Sequence, residues 1–240
     1  MNTRRTFVKK AAASLLAVGA PSVMTGANSQ NTGKKATMLE FERDKTALVI
    51  VDMQNDFVRE GAAMEVPDAR KTIRPIQSLI KMARQCKMPV IYTKFVAGPK
   101  RTFLWEWSTQ IPNDNCCIRG FKRKYKDVPG ELECTDIVDE LYPQSQDYVF
   151  EKYNYSAFRN APLKDILLAN HCDALIVVGT VTHICVCDTV HDAAQEHFKA
   201  LVASDGVSSY SDLQQKAALE SFHTKYGVVE TSEEIIKRFQ

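Results

Sequence analysis

Hydrophobic residues from position 46 onward form short uninterrupted runs that alternate with amphipathic stretches. The run at 47–51 reads ALVIV and ends at Asp52, and an unbroken apolar run is typical of a central strand in a parallel sheet. The stretch at 72–87 instead spaces its apolar residues three and four positions apart, as one face of a helix requires. This part of the chain is therefore predicted to begin with a strand followed by a helix.

The same alternation of strand and helix continues to the end of the chain. Further strands are predicted at 89–95, 148–152, 174–179, 200–204 and around Val228 and Val229. Helices are predicted at 163–170, 184–198 and 213–225. Strands that alternate with helices pair in parallel through right-handed crossovers, which leaves helices on both faces of the sheet. We therefore expect residues 45–240 to form one three-layer α/β/α domain around a mostly parallel sheet of six strands.

The segment 96–147 is too long for a regular crossover. It contains Trp105 and Trp107, a pair of adjacent cysteines and several prolines. Segments of this length are usually lids, binding elements or disordered. The two tryptophans favour a lid or a partner contact over disorder.

Residues 1–27 have the composition of an export signal. Paired arginines, Arg4 and Arg5, precede a modest apolar stretch at 11–20 and small residues near the predicted cleavage site. The pattern resembles the twin-arginine signal of bacteria, whose export machinery carries folded proteins. The alternative, a membrane anchor, needs about 20 apolar residues, more than this stretch provides. We expect a periplasmic protein in which residues 28–44 form a flexible polar leader.

Composition and charge narrow the class of partner. With 45% hydrophobic and 25% charged residues, the sequence is that of an ordinary globular protein, and no further segment has the pattern of a membrane span. The net charge of +2 argues against nucleic acid, because phosphate binding usually leaves a strong basic excess. The densest basic run, at 122–126, is interpreted as a solvated face.

Seven cysteines lie beyond the signal, and an odd number cannot all pair within one chain. In an oxidising compartment at least one thiol is therefore free or joined to another chain. Cys116, Cys117 and Cys134 fall in the long segment, where a disulfide is one alternative and free thiols are the other.

Three chemically reactive residues fall at the same edge of the predicted sheet. Asp52 ends the first strand, Lys152 ends the third, and Cys185 follows the fourth after a short turn. Ligands of parallel sheets bind beyond the carboxyl ends of the strands. A helix start lowers the pKa of a thiol, a nearby ammonium stabilises the thiolate, and a carboxylate can carry its proton. Each residue alone has a structural interpretation, but the juxtaposition favours nucleophilic catalysis by the thiol.

Three segments around these residues carry a family resemblance. VIVDMQNDF (49–57), EKYNYSAF (151–158) and VVGTVTHICVCDTVHDA (177–193) resemble the signature segments of the isochorismatase-like cysteine hydrolases. They occur in the right order and spacing, and the resemblance spans about residues 45–234. It implies a six-stranded parallel sheet with an Asp–Lys–Cys triad.

The resemblance also implies a reaction that needs no metal or other cofactor. Asp52, Lys152 and Cys185 would form the triad, and the backbone N–H groups of Val181 and Cys185 would form the oxyanion hole. The cis peptide bond of the family would join Thr180 and Val181. The sulfur attacks a carbonyl, ammonia or an amine leaves, and water hydrolyses the thioester. Relatives are commonly oligomeric, so a homo-oligomer is expected.

Differences between this sequence and the patterns of individual subfamilies narrow the class of substrate. Nicotinamidases hold a metal through an Asp-x-His segment and a further histidine, whereas every histidine here lies at His171 or later. True isochorismatases split a vinyl ether and can dispense with the cysteine, so Cys185 favours amide chemistry. The run at 151–167 most resembles the branch acting on ureidoacrylate, biuret and N-carbamoylsarcosine. A small amide or ureido molecule is therefore the predicted partner.

Several residues near these segments are candidates to contact the substrate. They are Phe57, Trp105, Tyr155, Phe158 and Thr182, with His183 as a further candidate. For the tryptophans, packing of the segment or a subunit contact is an equal alternative.

Other chemistries have weaker support in the sequence than the hydrolase. His183, Cys187 and His191 recur every four residues, a spacing that suits zinc, but no obvious further ligand accompanies them. The Cys185-x-Cys187 pair suggests a thiol redox protein, yet it lacks the usual Cys-x-x-Cys spacing. A catalytically inactive binding module is a third alternative, which the complete triad disfavours.

Overall fold

The strands of the main sheet follow the apolar runs of the sequence. The structure is a computed structural model and describes residues 39–98, 103–108 and 110–240. Its strands are β1 (Thr46–Val51), β2 (Val90–Phe95), β3 (Lys122–Lys124), β4 (Glu131–Glu133), β5 (Tyr148–Lys152), β6 (Ala174–Thr180), β7 (Lys199–Ser208) and β8 (Gly227–Glu230). Six of them form one parallel sheet in the order β5-β2-β1-β6-β7-β8, while β3 and β4 form a separate antiparallel pair. The predicted six-stranded sheet is confirmed.

Helices cover both faces of this sheet. The described helices are α1 (Asn55–Val58), α2 (Ala69–Gln85), α3 (Phe103–Trp107), α4 (Gln110–Asp114), α5 (Leu163–Ala169), α6 (Cys187–Gln195), α7 (Asp212–Ser221) and α8 (Ser232–Phe239). Leu48 and Ile50 of β1 pack toward α2 and α8, whereas Val49 and Val51 pack toward α5 and α6. Successive side chains of a strand point to opposite faces, so the unbroken apolar run fills two cores. The predicted three-layer α/β/α architecture is confirmed.

Two of the predicted helices include a π-helical turn, one at its start and the other at its end. The helix expected at 184–198 consists of a π-helical turn, Thr182–Val186, followed by α6. The helix expected at 213–225 divides in the same way into α7 and a π-helical turn, Phe222–Tyr226. Such turns are frequent at functional sites, and the first of the two carries Cys185.

The long segment 96–147 is largely structured. It contains α3, α4, the β3–β4 hairpin and a 3-10 turn at Asp139–Leu141. The basic run in β3 is not simply a solvated face, because Arg123 lies 2.9 Å from a carboxylate oxygen of the buried Asp56. Lys122 and Lys124 alternate with it and are exposed, as expected for a two-residue strand period.

The predicted export signal at 1–27 lies outside the described residues, as does the leader as far as residue 38. The last leader residues are ordered and enter a 3-10 turn at Arg43–Lys45 immediately before β1. Within the described part of the chain, no helix combines the length and the hydropathy needed to cross a bilayer. All seven cysteines are free thiols, including the three for which a disulfide was an alternative.

Candidate active site

Asp52 lies where β1 ends, with its side chain fully buried. Its φ of 50° turns the chain sharply away from the sheet, a conformation that aspartate tolerates better than most residues. The hydroxyl of Thr93, on the neighbouring β2, donates a 2.6 Å hydrogen bond to the Asp52 carboxylate. The backbone N–H of Asp52 donates to that same hydroxyl oxygen at 3.2 Å. These bonds fix the orientation of the carboxylate.

Lys152 is the last residue of β5 and is also fully buried. Its Nζ donates to Asp52 Oδ2 at 2.7 Å and to the carbonyl oxygens of Asn154 and Tyr155 at 3.1 and 2.9 Å. Burial alone would lower the pKa of Lys152, but the acidic groups of Asp52 and Cys185 outweigh it and the pKa is raised. The side chain is therefore an ammonium whose three N–H groups all have acceptors.

Cys185 completes the group from the π-helical turn after β6. The Asp52 carboxylate and the backbone N–H of Val181 both act on its thiol, the first raising the pKa of the thiol and the second lowering it. Burial raises the pKa of this thiol, and the Lys152 ammonium opposes the rise without overcoming it. The expectation of a lowered pKa is therefore wrong, because Asp52 neutralises the lysine and only 3% of the cysteine surface meets water. At rest the site holds a thiol beside a carboxylate–ammonium pair.

The path of the chain between β6 and Cys185 depends on Gly179. Its φ is 114°, and a Cβ atom there would lie 2.1 Å from the carbonyl oxygen of Val51. Only glycine fits this close approach of β1 and β6. The peptide bond between Thr180 and Val181 is cis, as the family resemblance implied.

A cavity of about 260 Å³ opens onto the sulfur of Cys185. It is lined mainly by apolar and aromatic side chains from both ends of the domain sequence. The lining residues are Phe57, Ala63, Met64, Glu65, Phe95, Ser108, Ile111, Tyr155, Val181, Ile184, Cys185 and Tyr210. Ser108 and Ile111 belong to the segment expected to act as a lid or binding element.

The candidate substrate contacts divide between the cavity and its surroundings. Phe57 and Tyr155 line the cavity. Phe158 instead packs against Phe198, with ring centroids 5.7 Å apart, in the core on the α5 and α6 side of the sheet. Thr182 is fully buried and absent from the cavity wall, and its hydroxyl has no partner among the described residues.

The two tryptophans differ in what the structure describes. Trp105 lies in α3, and its side chain is outside the described part of the chain. Trp107 is 73% exposed and stacks on Phe103 with ring centroids 5.6 Å apart. Trp107 is therefore a surface residue of the long segment.

Four contributors to the site were missed by sequence reasoning. Thr93 orients Asp52, and Gln54 ties the turn after β1 to Phe95 through bonds to both its N–H and its carbonyl oxygen. A polar residue within the apolar run of β2 was an available signal for Thr93. Glu65 and Tyr210 line the cavity from loops whose sequence gives no such signal.

The zinc-like spacing on the helix after β6 does not converge on one point. Nδ1 of His183 bonds to Ser209 Oγ at 2.7 Å, whereas Cys187 Sγ lies 3.6 Å from Nε2 of His191. The ring of His191 packs on Tyr226. Among the described residues, no three histidine, cysteine or carboxylate side chains are grouped as metal ligands would be.

Comparisons with known proteins point to one family. The family model described as "Isochorismatase domain" matches residues 46–234. Ureidoacrylate amidohydrolase RutB of Acinetobacter baylyi is 27% identical over 214 residues, 84% of this chain and 86% of that protein.

Solved structures share the fold at similar identity. A cysteine hydrolase from Pseudomonas syringae pv. phaseolicola is 27% identical with a TM-score of 0.74, covering 83% of this chain and 94% of that one. N-carbamoylsarcosine amidase from Thermoplasma acidophilum is 29% identical with a TM-score of 0.65, covering 79% of this chain and 97% of that one.

Proposed function

The chain belongs to the isochorismatase family, and from that premise we propose that it is a cysteine hydrolase that cleaves a C–N bond of a small amide or ureido molecule. The main support is the Cys185 thiol, which lies beside the buried ion pair of Asp52 and Lys152 and interacts electrostatically with both groups. Relatives named as a ureidoacrylate amidohydrolase and an N-carbamoylsarcosine amidase support the class of bond. The apolar cavity of about 260 Å³ suits a small organic substrate.

The first step transfers the thiol proton as the carbon–sulfur bond forms. Asp52 acts on the Cys185 thiol in the resting site, as a general base that takes its proton must. The sulfur attacks the substrate carbonyl while its proton moves to the Asp52 carboxylate. Lys152 holds that carboxylate in place and keeps the local charge balanced.

The oxyanion of the tetrahedral intermediate needs hydrogen-bond donors. The backbone N–H of Val181 acts on the Cys185 sulfur in the resting site and lowers the pKa of the thiol, so it is the first donor in this proposal. The N–H of Cys185 is the second donor in this proposal. Donors fixed in advance stabilise the developing charge without reorganising, which is their catalytic advantage.

Collapse of the intermediate breaks the C–N bond. The proton on Asp52 passes to the nitrogen, which leaves as ammonia or an amine, and a thioester to Cys185 remains. Water then attacks the thioester and gives a proton to Asp52, which returns it to the departing sulfur. These steps use only residues of the chain and water, and they restore the resting site.

Ammonia release from a panel of small molecules tests the proposal. Purified protein is assayed with ureido acids, maleamate, biuret and nicotinamide, and Cys185→Ala serves as the inactive control. The proposal predicts ammonia from at least one compound and a loss of about 10³-fold or more in the variant. Release by Cys185→Ala at the wild-type rate, or reduction of insulin disulfides in place of amide hydrolysis, would overturn it.

A further inference from the structure

The wall of the active-site cavity carries a carboxylate among mostly apolar neighbours. Among the described lining residues, Glu65 is the only one with a side chain that is charged at neutral pH in its ordinary state. Its side chain is 25% exposed, whereas Cys185 is 3% exposed. Glu65 therefore lies toward the solvent side of the cavity, and the reacting sulfur lies at its buried end.

Glu65 is held in one orientation. Its Oε1 accepts from Arg70 at 2.7 Å and its Oε2 accepts from the backbone N–H of Gly61 at 2.8 Å. Arg70 in turn donates to the carbonyl oxygen of Val58 at 2.7 Å, so the ion pair is anchored on both sides. Glu65 lines the cavity, whereas Arg70 is not among its described lining residues.

Glu65 is also ionised at neutral pH. Burial raises the pKa of this carboxyl, but the Gly61 N–H and Arg70 outweigh burial and lower the pKa below its ordinary value. Each carboxylate oxygen has two lone pairs and uses one, so both can accept a further hydrogen bond. The surrounding apolar walls weaken solvent screening and strengthen the field of the charge inside the cavity, and the Arg70 guanidinium offsets part of that field.

On the basis of the proposed hydrolase activity, we propose that Glu65 determines which substrate end the cavity accepts. The end of the substrate remote from the scissile carbonyl is one that donates hydrogen bonds. It is either neutral, with an amide or amine group, or a cation. A carboxylate at that end meets the charge of Glu65 and is rejected. The substrate class is thus a small ureido or amide molecule with a neutral or cationic tail, which differs from a ureido acid such as ureidoacrylate.

Three compounds that share one scissile group test this selection. N-carbamoylglycine, N-carbamoylglycinamide and (2-aminoethyl)urea present a carboxylate, a neutral amide and an ammonium at the same position. The kcat/KM of each is measured for wild type and Glu65→Gln, which keeps the size of the side chain and one of its two acceptor oxygens. Glu60→Gln is the matched control, because Glu60 is an exposed near neighbour outside the cavity wall.

The wild type is expected to favour the neutral and cationic compounds over the carboxylate by at least about 10-fold, an order of magnitude set by like-charge repulsion in a poorly screened site. Glu65→Gln should reduce that ratio at least about 5-fold, because it should raise the kcat/KM of the carboxylate compound and lower the kcat/KM of the ammonium compound. Glu60→Gln should leave the ratio unchanged. Equal use of the three compounds by wild type, or a ratio that Glu65→Gln does not move, would overturn the selection.

Binding separates this inference from the proposed activity. Calorimetry with Cys185→Ala measures the affinity of the same three compounds without turnover. The charge preference in binding together with no hydrolysis by wild type would sustain the role of Glu65 and remove the hydrolase. Hydrolysis without that charge preference would sustain the hydrolase and remove the role of Glu65. If wild type hydrolyses none of the three compounds and Cys185→Ala binds none of them, both the hydrolase and the role of Glu65 are overturned.

Discussion

At the residue scale, the site is a neutral thiol placed against a carboxylate that is already paired with an ammonium. Burial raises the pKa of Cys185, and Asp52 raises it further, while Lys152 lowers it. In the proposed mechanism, nucleophilicity therefore depends on proton transfer to Asp52 during attack, and not on a thiolate formed beforehand. Asp52 thus opposes ionisation of the resting Cys185 thiol and, in the proposed mechanism, accepts the proton of that thiol during attack.

Replacing Asp52 should separate thiol reactivity from catalysis. In Asp52→Asn the negative charge that raises the pKa of Cys185 is gone and the Lys152 ammonium remains, so the pKa of the thiol should fall. We expect alkylation of Cys185 by iodoacetamide at pH 7 to become faster by about 10-fold or more, since one pKa unit is a tenfold change in thiolate. Amide hydrolysis should fall by about 10²–10⁴-fold because the proton acceptor is lost.

Peptide mapping of the alkylated protein makes this measurement. Cys86 is the internal standard, because it is half-buried and lies at the C-terminal end of α2, outside the cavity wall. Its rate should be the same in wild type and variant. Slower labelling of Cys185 in Asp52→Asn would contradict the assigned effect of the carboxylate.

At the scale of elements, three strands bring the reactive groups together. Val51 of β1 pairs with Thr93 of β2 and with Gly179 of β6, so Asp52 lies beside both neighbouring strands. β5 lies beyond β2, and the long side chain of Lys152 passes within 5.3 Å of the centre of the Phe95 ring on its way to Asp52. The lysine side chain is long enough to reach from β5 across the intervening strand β2 to Asp52.

The close contact of Gly179 with β1 predicts a loss in the free energy of unfolding when this glycine is replaced. Gly179 and Gly130 both have positive φ, but a Cβ atom meets Val51 at 2.1 Å in the first case and nothing within 4 Å in the second. Gly130→Ala should cost about 1–2 kcal/mol from backbone conformation alone. Gly179→Ala should cost about 1–3 kcal/mol more, because overpacking is added. Urea unfolding measures both, and equal losses would show that the close approach has little energetic weight.

Much of the fold was predictable because the apolar runs and the helical spacing act locally. The runs at 47–51 and 174–179 matched buried parallel strands closely, and the resemblance gave the cis bond between Thr180 and Val181. Helix α8 was missed although Thr231 and Glu234 form a capping box that the sequence displays.

Other features depend on contacts that sequence position does not encode. The raised pKa of Cys185 depends on how deeply the turn is buried, and Glu65 reaches the cavity because Arg70 and Gly61 hold it. Phe158 lies next to a signature segment, yet it fills the hydrophobic core beside Phe198. Motif proximity therefore predicted which residues meet around Cys185 more readily than it predicted which residues line the cavity.

At the scale of the whole molecule, the export signal remains a prediction. Replacing Arg4 and Arg5 together with lysine should keep the precursor in the cytoplasm of a bacterium that has the twin-arginine machinery, because that machinery reads the arginine pair. Replacing Lys9 and Lys10 with arginine preserves the charge and should leave export intact. Fractionation and blotting measure the distribution, and equal periplasmic amounts of both variants would contradict the assigned signal.

The expected homo-oligomer also remains a prediction at this scale. Phe103 and Trp107 of α3 are 70% and 73% exposed, which is uncommon for adjacent large apolar side chains on one short helix. Sedimentation of the purified protein distinguishes a monomer from an oligomer. A single species at the mass of one chain would contradict the expectation.

The central claim is that the sulfur of Cys185 forms a bond to the acyl part of a substrate. Acid-quenched protein, taken during turnover of a compound that releases ammonia, is analysed by intact mass and then by peptide mass spectrometry. The account predicts a mass increase equal to the substrate less ammonia or amine, located on the peptide of Cys185 and retained in Cys172→Ala, which alters a buried cysteine outside the cavity wall. Turnover that proceeds with no such adduct, and that persists in Cys185→Ala, would contradict it.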